Sequence, residues 1–406
     1  MTSSDPVVRD FFLSRQIADI SGPWRPGSIR DQILRARMVV DRALANGWIS
    51  PQRPVAVLGA GIAGITAAVV ARTAGVSVTI FEKDKPAAAQ SRSFRWVDPA
   101  AYDWPHPWWG SGEMVWDHGG RWPLRLEAGE GRTLAFQFAS LLRKEKNIRY
   151  VRENVTGLAQ EKDRIRVATN AGLVEEFALV VDCRGAGKER SCGDFETIPF
   201  WSGMDPRRIV AGKAAELGRP VRVLISGGGD GAIQDFLLLA TGRASIAQLA
   251  VEAGLARDVL RTGLTPISGS LAELAGFERE ALSIEERCWR DFCWQGPPGT
   301  EAGLTSCLAE FYEGWVARLA DRWKPLPANR TPIEFTLVRT AGHYSVCYPL
   351  NRLIGMVAER QFRPKVVVGR LEALYKPTDF DLSLIRHGIE TSAPPFGVRR
   401  QIFPFQ

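Results

Sequence analysis

The chain has no CxxC pair. Its six cysteines, Cys183, Cys192, Cys288, Cys293, Cys307 and Cys347, stand apart. That spacing excludes a redox dithiol of adjacent cysteines and predicts free or buried thiols in a reducing compartment. Histidine is scarce as well. His106, His118, His343 and His387 are dispersed, which argues against a mononuclear zinc site. No apolar run approaches a membrane span, and the N-terminal residues show no apolar signal segment, so a cytoplasmic protein without a membrane span is expected. Basic residues exceed acidic ones, giving a formal net charge of +7, but they are scattered. The nearest approach to a basic stripe is Arg399 and Arg400 beside an apolar tail. No nucleic-acid partner is expected, and the positive balance suits a small anionic ligand. With 406 residues, 45% of them hydrophobic, the chain can bury more than one core.

Against these absences, one stretch is rich in information. Val55 to Glu82 reads VAVLGAGIAGITAAVVARTAGVSVTIFE. Val55–Leu58 is an apolar run suited to a buried parallel strand. Gly59 permits a tight turn, Gly61 lets a diphosphate approach the backbone, and Gly64 lets the next helix sit close to the sheet. The helix N-terminus then offers unpaired N–H groups and a favourable dipole. The following strand, residues 77–81, delivers Glu82, whose carboxylate can accept ribose hydroxyls.

Other elements follow from periodicity. Residues 1–50 read as mostly helical and polar. Within them SIRDQILRARMVVDRALANGW places Ile29, Ile33, Ala36, Val40, Ala43 and Leu44 at helical spacing. This helix is expected to pack within its own chain or to meet a second copy in a homo-oligomer. Residues 83–125 gather Trp96, Trp104, Trp108, Trp109, Trp116 and Trp122 with Arg92, Arg95, Arg121 and Arg125. An aromatic excursion of this kind fills an irregular core or lines a dry substrate site. Within it, Arg92 and Arg95 are candidate binders of a carboxylate or of an anionic cofactor, and His106 is a candidate proton-transfer group. Leu134–Leu142 reads as a helix, IRYVREN as a strand, and RIRVAT with EEFALVVD as a hairpin and a buried strand. The last runs into RGAGKE, where Gly185 and Gly187 allow positive φ beside a cofactor.

A second glycine turn occurs at 221–232, VRVLISGGGDGA, with Gly227 and Gly229 in the phosphate-turn positions and Ala232 at the packing position. Asp230, inside this turn, repels a diphosphate unless it points away or is paired. SIAQLAVE is either the following strand, ending in Glu252, or the start of a helix. As a strand end, Glu252 favours NADH over NADPH. Residues 260–325 read mainly as helices. IEFTLVR, HYSVCYPLNRLIG, PKVVVGRLEALY and FDLSLIRHG read as strands with short connections.

The segment from Val55 to Asp84 resembles the FAD-binding N-terminal unit of the flavoprotein oxidoreductase superfamily. That group includes amine oxidases, aromatic hydroxylases, disulfide reductases and N-hydroxylating monooxygenases. The resemblance implies an α/β chain of FAD/NAD(P)-binding Rossmann-like fold, with two dinucleotide-type units and a helical insert. It implies that Gly59, Gly61 and Gly64 hold the FAD diphosphate, that Glu82 holds its ribose, and that Val180–Gly187 closes over the cofactor. GGGDGA resembles an NAD(P)H fingerprint, so NADH or NADPH is the second expected cofactor. Arg386, His387 and Gly388 stand where such proteins carry a C-terminal flavin contact. The missing dithiol speaks against the disulfide-reductase branch. The expected layout is an N-terminal extension at 1–50, an FAD unit at 51–200, a second unit at 201–260, a helical insert at 261–330 and completing strands at 331–406. The expected activity is an FAD-dependent oxidoreductase on a small organic substrate, in particular an NAD(P)H-dependent monooxygenase. An amine or amino-acid oxidase with a degenerate second unit, and a non-catalytic flavin-binding sensor, are the alternatives.

Overall fold

A computed structural model describes residues 11–21, 29–97, 129–185, 187, 189–253, 277, 301–322, 332–340, 344, 347 and 349–388. These fall into two compact units, one holding the described residues up to 187 and the other those from 189 to 388.

The first unit opens with two short strands, β1 (Phe12–Ser14) and β2 (Ile17–Asp19), followed by helix α1 (Ile29–Ala45). Then come β3 (Val55–Leu58), α2 (Ile62–Thr73), β4 (Val78–Phe81), and the two-residue ribbon β5 (Trp96–Val97) and β6 (Gly129–Glu130). Helix α3 (Gly131–Lys144) leads to β7 (Ile148–Val151), β8 (Val155–Glu161), β9 (Arg164–Thr169), β10 (Val174–Phe177) and β11 (Leu179–Asp182). The main sheet has the order β1-β2-β11-β3-β4-β7. Every pair from β2 to β7 is parallel. All four residues of β3, of β4 and of β11 are buried. That is why these strands read as unbroken apolar runs and not as alternating ones. Helix α2 is buried over Ile62–Ala68, because α1 packs across it through an apolar face that includes Ile33, Ala36, Val40 and Ala43. A separate antiparallel sheet, β10-β9-β8, completes the unit.

Residues 1–50 are therefore not only helical. Phe12–Ser14 and Ile17–Asp19 extend the sheet beside β11. Three-residue strands are too short to show a period, and their pairing is dictated by a strand far along the chain.

The second unit begins with α4 (Pro206–Leu217), whose N-terminus is fixed by Pro206 and by the Asp205 side chain accepting from Arg207 N at 3.0 Å. It continues with β12 (Val221–Ser226), α5 (Asp230–Thr241), α6 (Ile246–Glu252), α7 (Glu301–Arg322), β13 (Ile333–Arg339), α8 (Pro349–Phe362), β14 (Lys365–Val368), the single turn α9 (Leu371–Leu374) and β15 (Leu382–Ile385). The sheet order is β14-β13-β12-β15, parallel throughout. Its core gathers Phe236, Phe335, Leu337, Leu353, Ile354 and Leu384, with Phe236 and Phe335 edge to face at 5.3 Å.

One sequence expectation changes here. Pro349–Phe362, read as strand and connection, is a helix. Leu350, Leu353, Ile354, Val357 and Ala358 are its buried stripe, a spacing of three and four that only a helix presents to one neighbour. Of the two readings of SIAQLAVE the helix holds, with Glu252 at its end. Of the helical insert, Phe277 and α7 lie among the described residues. The tryptophan-rich stretch from Trp104 to Trp122 lies outside them.

Candidate functional site

In the first unit, β3 runs into Gly59, which holds φ +94°. The Gly59 amide donates to Phe81 O at 2.7 Å. A Cβ there would fall 2.7 Å from Cys183 O and 2.9 Å from Arg184 Cα. Gly64, in the first turn of α2, is tighter still. A Cβ would fall 1.9 Å from Gly59 O. Both glycines are thus demanded by the protein's own backbone. Gly61 is different. It starts α2 with φ −76°, and the space where its Cβ would point is open to 4 Å. Among the described residues nothing requires a glycine there, and the open space leaves room for a group lying across the turn. No acidic side chain occupies the first turn of α2, and no side chain caps it. A helix start of this kind suits a diphosphate.

Glu82 follows β4 and is half-buried. Its Oε2 accepts from Ala60 N and its Oε1 from Asp84 N, each at 2.8 Å. These bonds aim the carboxylate at the turn and leave lone pairs on both oxygens for further donors. Tyr150 donates to Asp84 O at 2.7 Å. Its phenol is pushed up to about 12, by partial burial first and by the Glu82 charge next, so it remains a donor at neutral pH.

The strand end beside Gly59 carries a group that sequence reading passed over. Asp182 is fully buried, and Arg184 holds it through Nε at 3.0 Å and Nη2 at 2.7 Å. Asp19 stands in register with Asp182 across the β2–β11 pair. Burial raises its carboxyl pKa, against hydrogen bonds from Ser21. The signal was DCRG after an apolar run, but its partner Asp19 lies in a strand too short to foresee. Gly185 and Gly187 are exposed with φ of +87° and +96°. Arg92 is exposed at the end of a 3-10 turn, Gln90–Arg92. Arg95 is buried at 4% exposure. His106 lies outside the described residues.

The second unit repeats this backbone. Gly227 holds φ +137°, and a Cβ there would fall 2.4 Å from Arg386 O. Gly227 N donates to Val338 O at 2.9 Å, as Gly59 N does to Phe81 O. Arg386 N donates to Ser226 O, as Cys183 N does to Leu58 O. Gly229 starts α5 as Gly61 starts α2. Gly388, at φ +84°, answers to Gly185. These matched bonds pair Leu58 with Ser226, Phe81 with Val338 and Cys183 with Arg386. They place Arg339 at the position of Glu82, and Asp230 at that of Ile62.

The side chains differ. Arg339 is 3% exposed, and its Nη2 donates to both carboxylate oxygens of Glu359 at 2.8 Å. The guanidinium lies over the ring of Tyr344, 4.2 Å from its centre. Asp230 accepts from Asn351 Nδ2 at 2.6 Å. Glu252, a ribose acceptor only on the strand reading, pairs with Arg243 at 2.9 Å. Arg386 is held within the second unit by Asp235 at 2.7 Å and Ile198 O at 2.9 Å, so its guanidinium is spent on the interior. His387 Nε2 sits 2.7 Å from Ser226 Oγ, and burial lowers its pKa. Cys192 donates to Glu372 at 3.0 Å. Its thiol is pushed up to about 12 by burial and by that carboxylate, which leaves it protonated and unreactive at neutral pH.

Residues 54–143 match the family described as FAD dependent oxidoreductase. That segment is similar to FAD-dependent oxidoreductases, and the parallel sheet around its glycine turn has a Rossmann-like fold. No curated protein sequence matches it. Among solved structures it is similar to the thioredoxin reductase of Lactococcus lactis, at 12% identity and TM-score 0.38 over 83% of this chain and 77% of that one. It is also similar to the bacillithiol disulfide reductase of Staphylococcus aureus, at 10% identity and TM-score 0.36 over 78% and 66%. A flavin-containing monooxygenase from Stenotrophomonas maltophilia aligns at 17% identity and TM-score 0.31 over 45% and 53%. No helix among the described residues is long and apolar enough to cross a membrane.

Proposed function

We propose that the first unit is the FAD site of an oxidoreductase acting on a small organic substrate. The observation that carries this reading is Gly61, whose missing side chain serves no contact among the described residues yet opens the start of α2. Gly59 and Gly64 set the turn, Gly61 admits the diphosphate, and the α2 amides bind it. Glu82, oriented by the Ala60 and Asp84 amides, accepts the adenosine ribose hydroxyls. Gly185 and Gly187 let the chain after β11 pass close to the cofactor. Bound FAD supplies the redox chemistry, and the protein supplies placement and exclusion of water. Arg92, exposed beside the turn that follows β4, is the cation offered to a substrate carboxylate. Arg95, being buried, orders that segment, and His106 is the proton-transfer candidate of the neighbouring stretch.

A second reading, an NAD(P)H-dependent monooxygenase, requires the repeated turn at Gly227–Gly229 to hold the coenzyme. The visible spectrum of the purified chain tests the first reading. Flavin absorbance, or its appearance on adding FAD, is expected. Failure to bind FAD sinks the proposal. Anaerobic mixing of the flavin-loaded protein with NADH and NADPH tests the second, since bleaching by either would establish a working nicotinamide site.

A further inference from the structure

We infer that the second dinucleotide-type unit is closed to nicotinamide dinucleotides by its own side chains, so the repeated glycine turn is a retained scaffold without its ligand.

The matched backbone bonds put Arg339 where the first unit carries Glu82. The two hydroxyls of an adenosine ribose are donors that need an acceptor at this strand end. A guanidinium has none. A 2′-phosphate would suit an arginine, but this one is turned inward. Its exposure is 3%, and Glu359 takes Nη2 with both oxygens. Reaching it would break a buried ion pair and leave the Glu359 carboxylate facing the phosphate. Neither the 2′-hydroxyl nor the 2′-phosphate coenzyme is therefore served.

Tyr344 closes the same region from the loop after β13. Its ring is 2% exposed and lies under the Arg339 guanidinium. It also abuts α8 at Gly355, where a Cβ would fall 3.2 Å from the Tyr344 ring and 3.1 Å from Ile233 of α5. Tyr344 is thus packed between the end of β13 and the two helices. The helix start adds a third obstacle. Asp230 stands where the first unit has Ile62, and Asn351 Nδ2 fixes its carboxylate there at 2.6 Å. The start of α5 thus carries a held carboxylate in place of the bare first turn of α2.

Equilibrium dialysis of the flavin-loaded full chain against NADH and against NADPH tests the inference without depending on turnover. The flavin absorbance of the same sample reports separately on the first unit. No saturable uptake is expected for either coenzyme below about 1 mM, the upper end of usual substrate constants. Uptake of one NADH or NADPH per chain below that concentration, abolished by Gly229→Val, would overturn the closure. Uptake unchanged by Gly229→Val places the coenzyme away from the turn and upholds it. Hydrogen exchange over residues 227–232 gives the same answer without a variant. Protection on adding NADPH overturns the closure, and unchanged exchange supports it.

Discussion

The turns at Gly59–Gly64 and Gly227–Ala232 have one backbone and two chemistries. In both, a glycine of positive φ passes against the chain leaving a neighbouring strand, and its amide bonds the end of the next strand. In the first, the side chains around that frame leave a cradle, with no acid on the helix start and a carboxylate aimed at the turn. In the second, the same places hold Asp230 and an arginine already paired with Glu359. Backbone fingerprint and ligand chemistry are thus separable. The glycines report how a strand, turn and helix fit together, and a few flanking side chains report whether anything binds there.

Substitutions at the two turns sharpen this contrast. The largest effect is expected for Gly59→Val, which combines a strained φ with overlap on the Cys183 and Arg184 backbone. It should cost more than about 4 kcal/mol, enough to prevent recovery of folded, flavin-bearing protein. Arg339→Met should cost about 3–5 kcal/mol in a denaturant titration, because it leaves Glu359 without its partner. Adding Glu359→Leu should recover most of that loss, and a double variant as unstable as the single one would break the account of that pair. Gly61→Val should leave folding within about 1 kcal/mol of the parent while weakening FAD by roughly 100-fold, about 2.7 kcal/mol. An unchanged FAD affinity would show that the open space at Gly61 serves no ligand. Glu82→Ala should weaken FAD by about 1.5–3 kcal/mol, the worth of hydrogen bonds to a charged acceptor.

The smallest effect concerns His387. Its folded pKa lies below the ordinary 6.5 because burial disfavours the cation. The unfolded chain then binds the proton more readily. Its contribution to stability is complete above about pH 6.5 and falls as pH drops from there toward the folded pKa. A denaturation midpoint measured across that window should decline less in His387→Asn than in the parent. Equal declines would remove His387 from the cause.

Much of the first unit was legible because it is local. Val55–Glu82 holds strand, turn, helix and acid within one short stretch, and apolar runs signal strands buried on both faces. The second unit was legible only at its turn. Its next strand, Ile333–Arg339, comes after all of residues 242–332. Nothing in sequence spacing marks Arg339 as the counterpart of Glu82, and Glu252 fell at a plausible distance by accident. Helix Pro349–Phe362 carried its helical stripe openly, in Leu350, Leu353, Ile354, Val357 and Ala358. The β-rich sequence around it masked the period. The Arg386–Asp235 pair is buried where the first unit has Cys183 and Ala67. Such a match becomes visible only once the strands are in register.

The most direct test of the asymmetry is the number of dinucleotides that one chain holds. Dialysis of the full-length protein against excess FAD, followed by NADH or NADPH, should give one FAD per chain and no nicotinamide coenzyme. A chain that retains no FAD, or one that holds FAD together with a stoichiometric nicotinamide coenzyme at the Gly227 turn, would contradict the account.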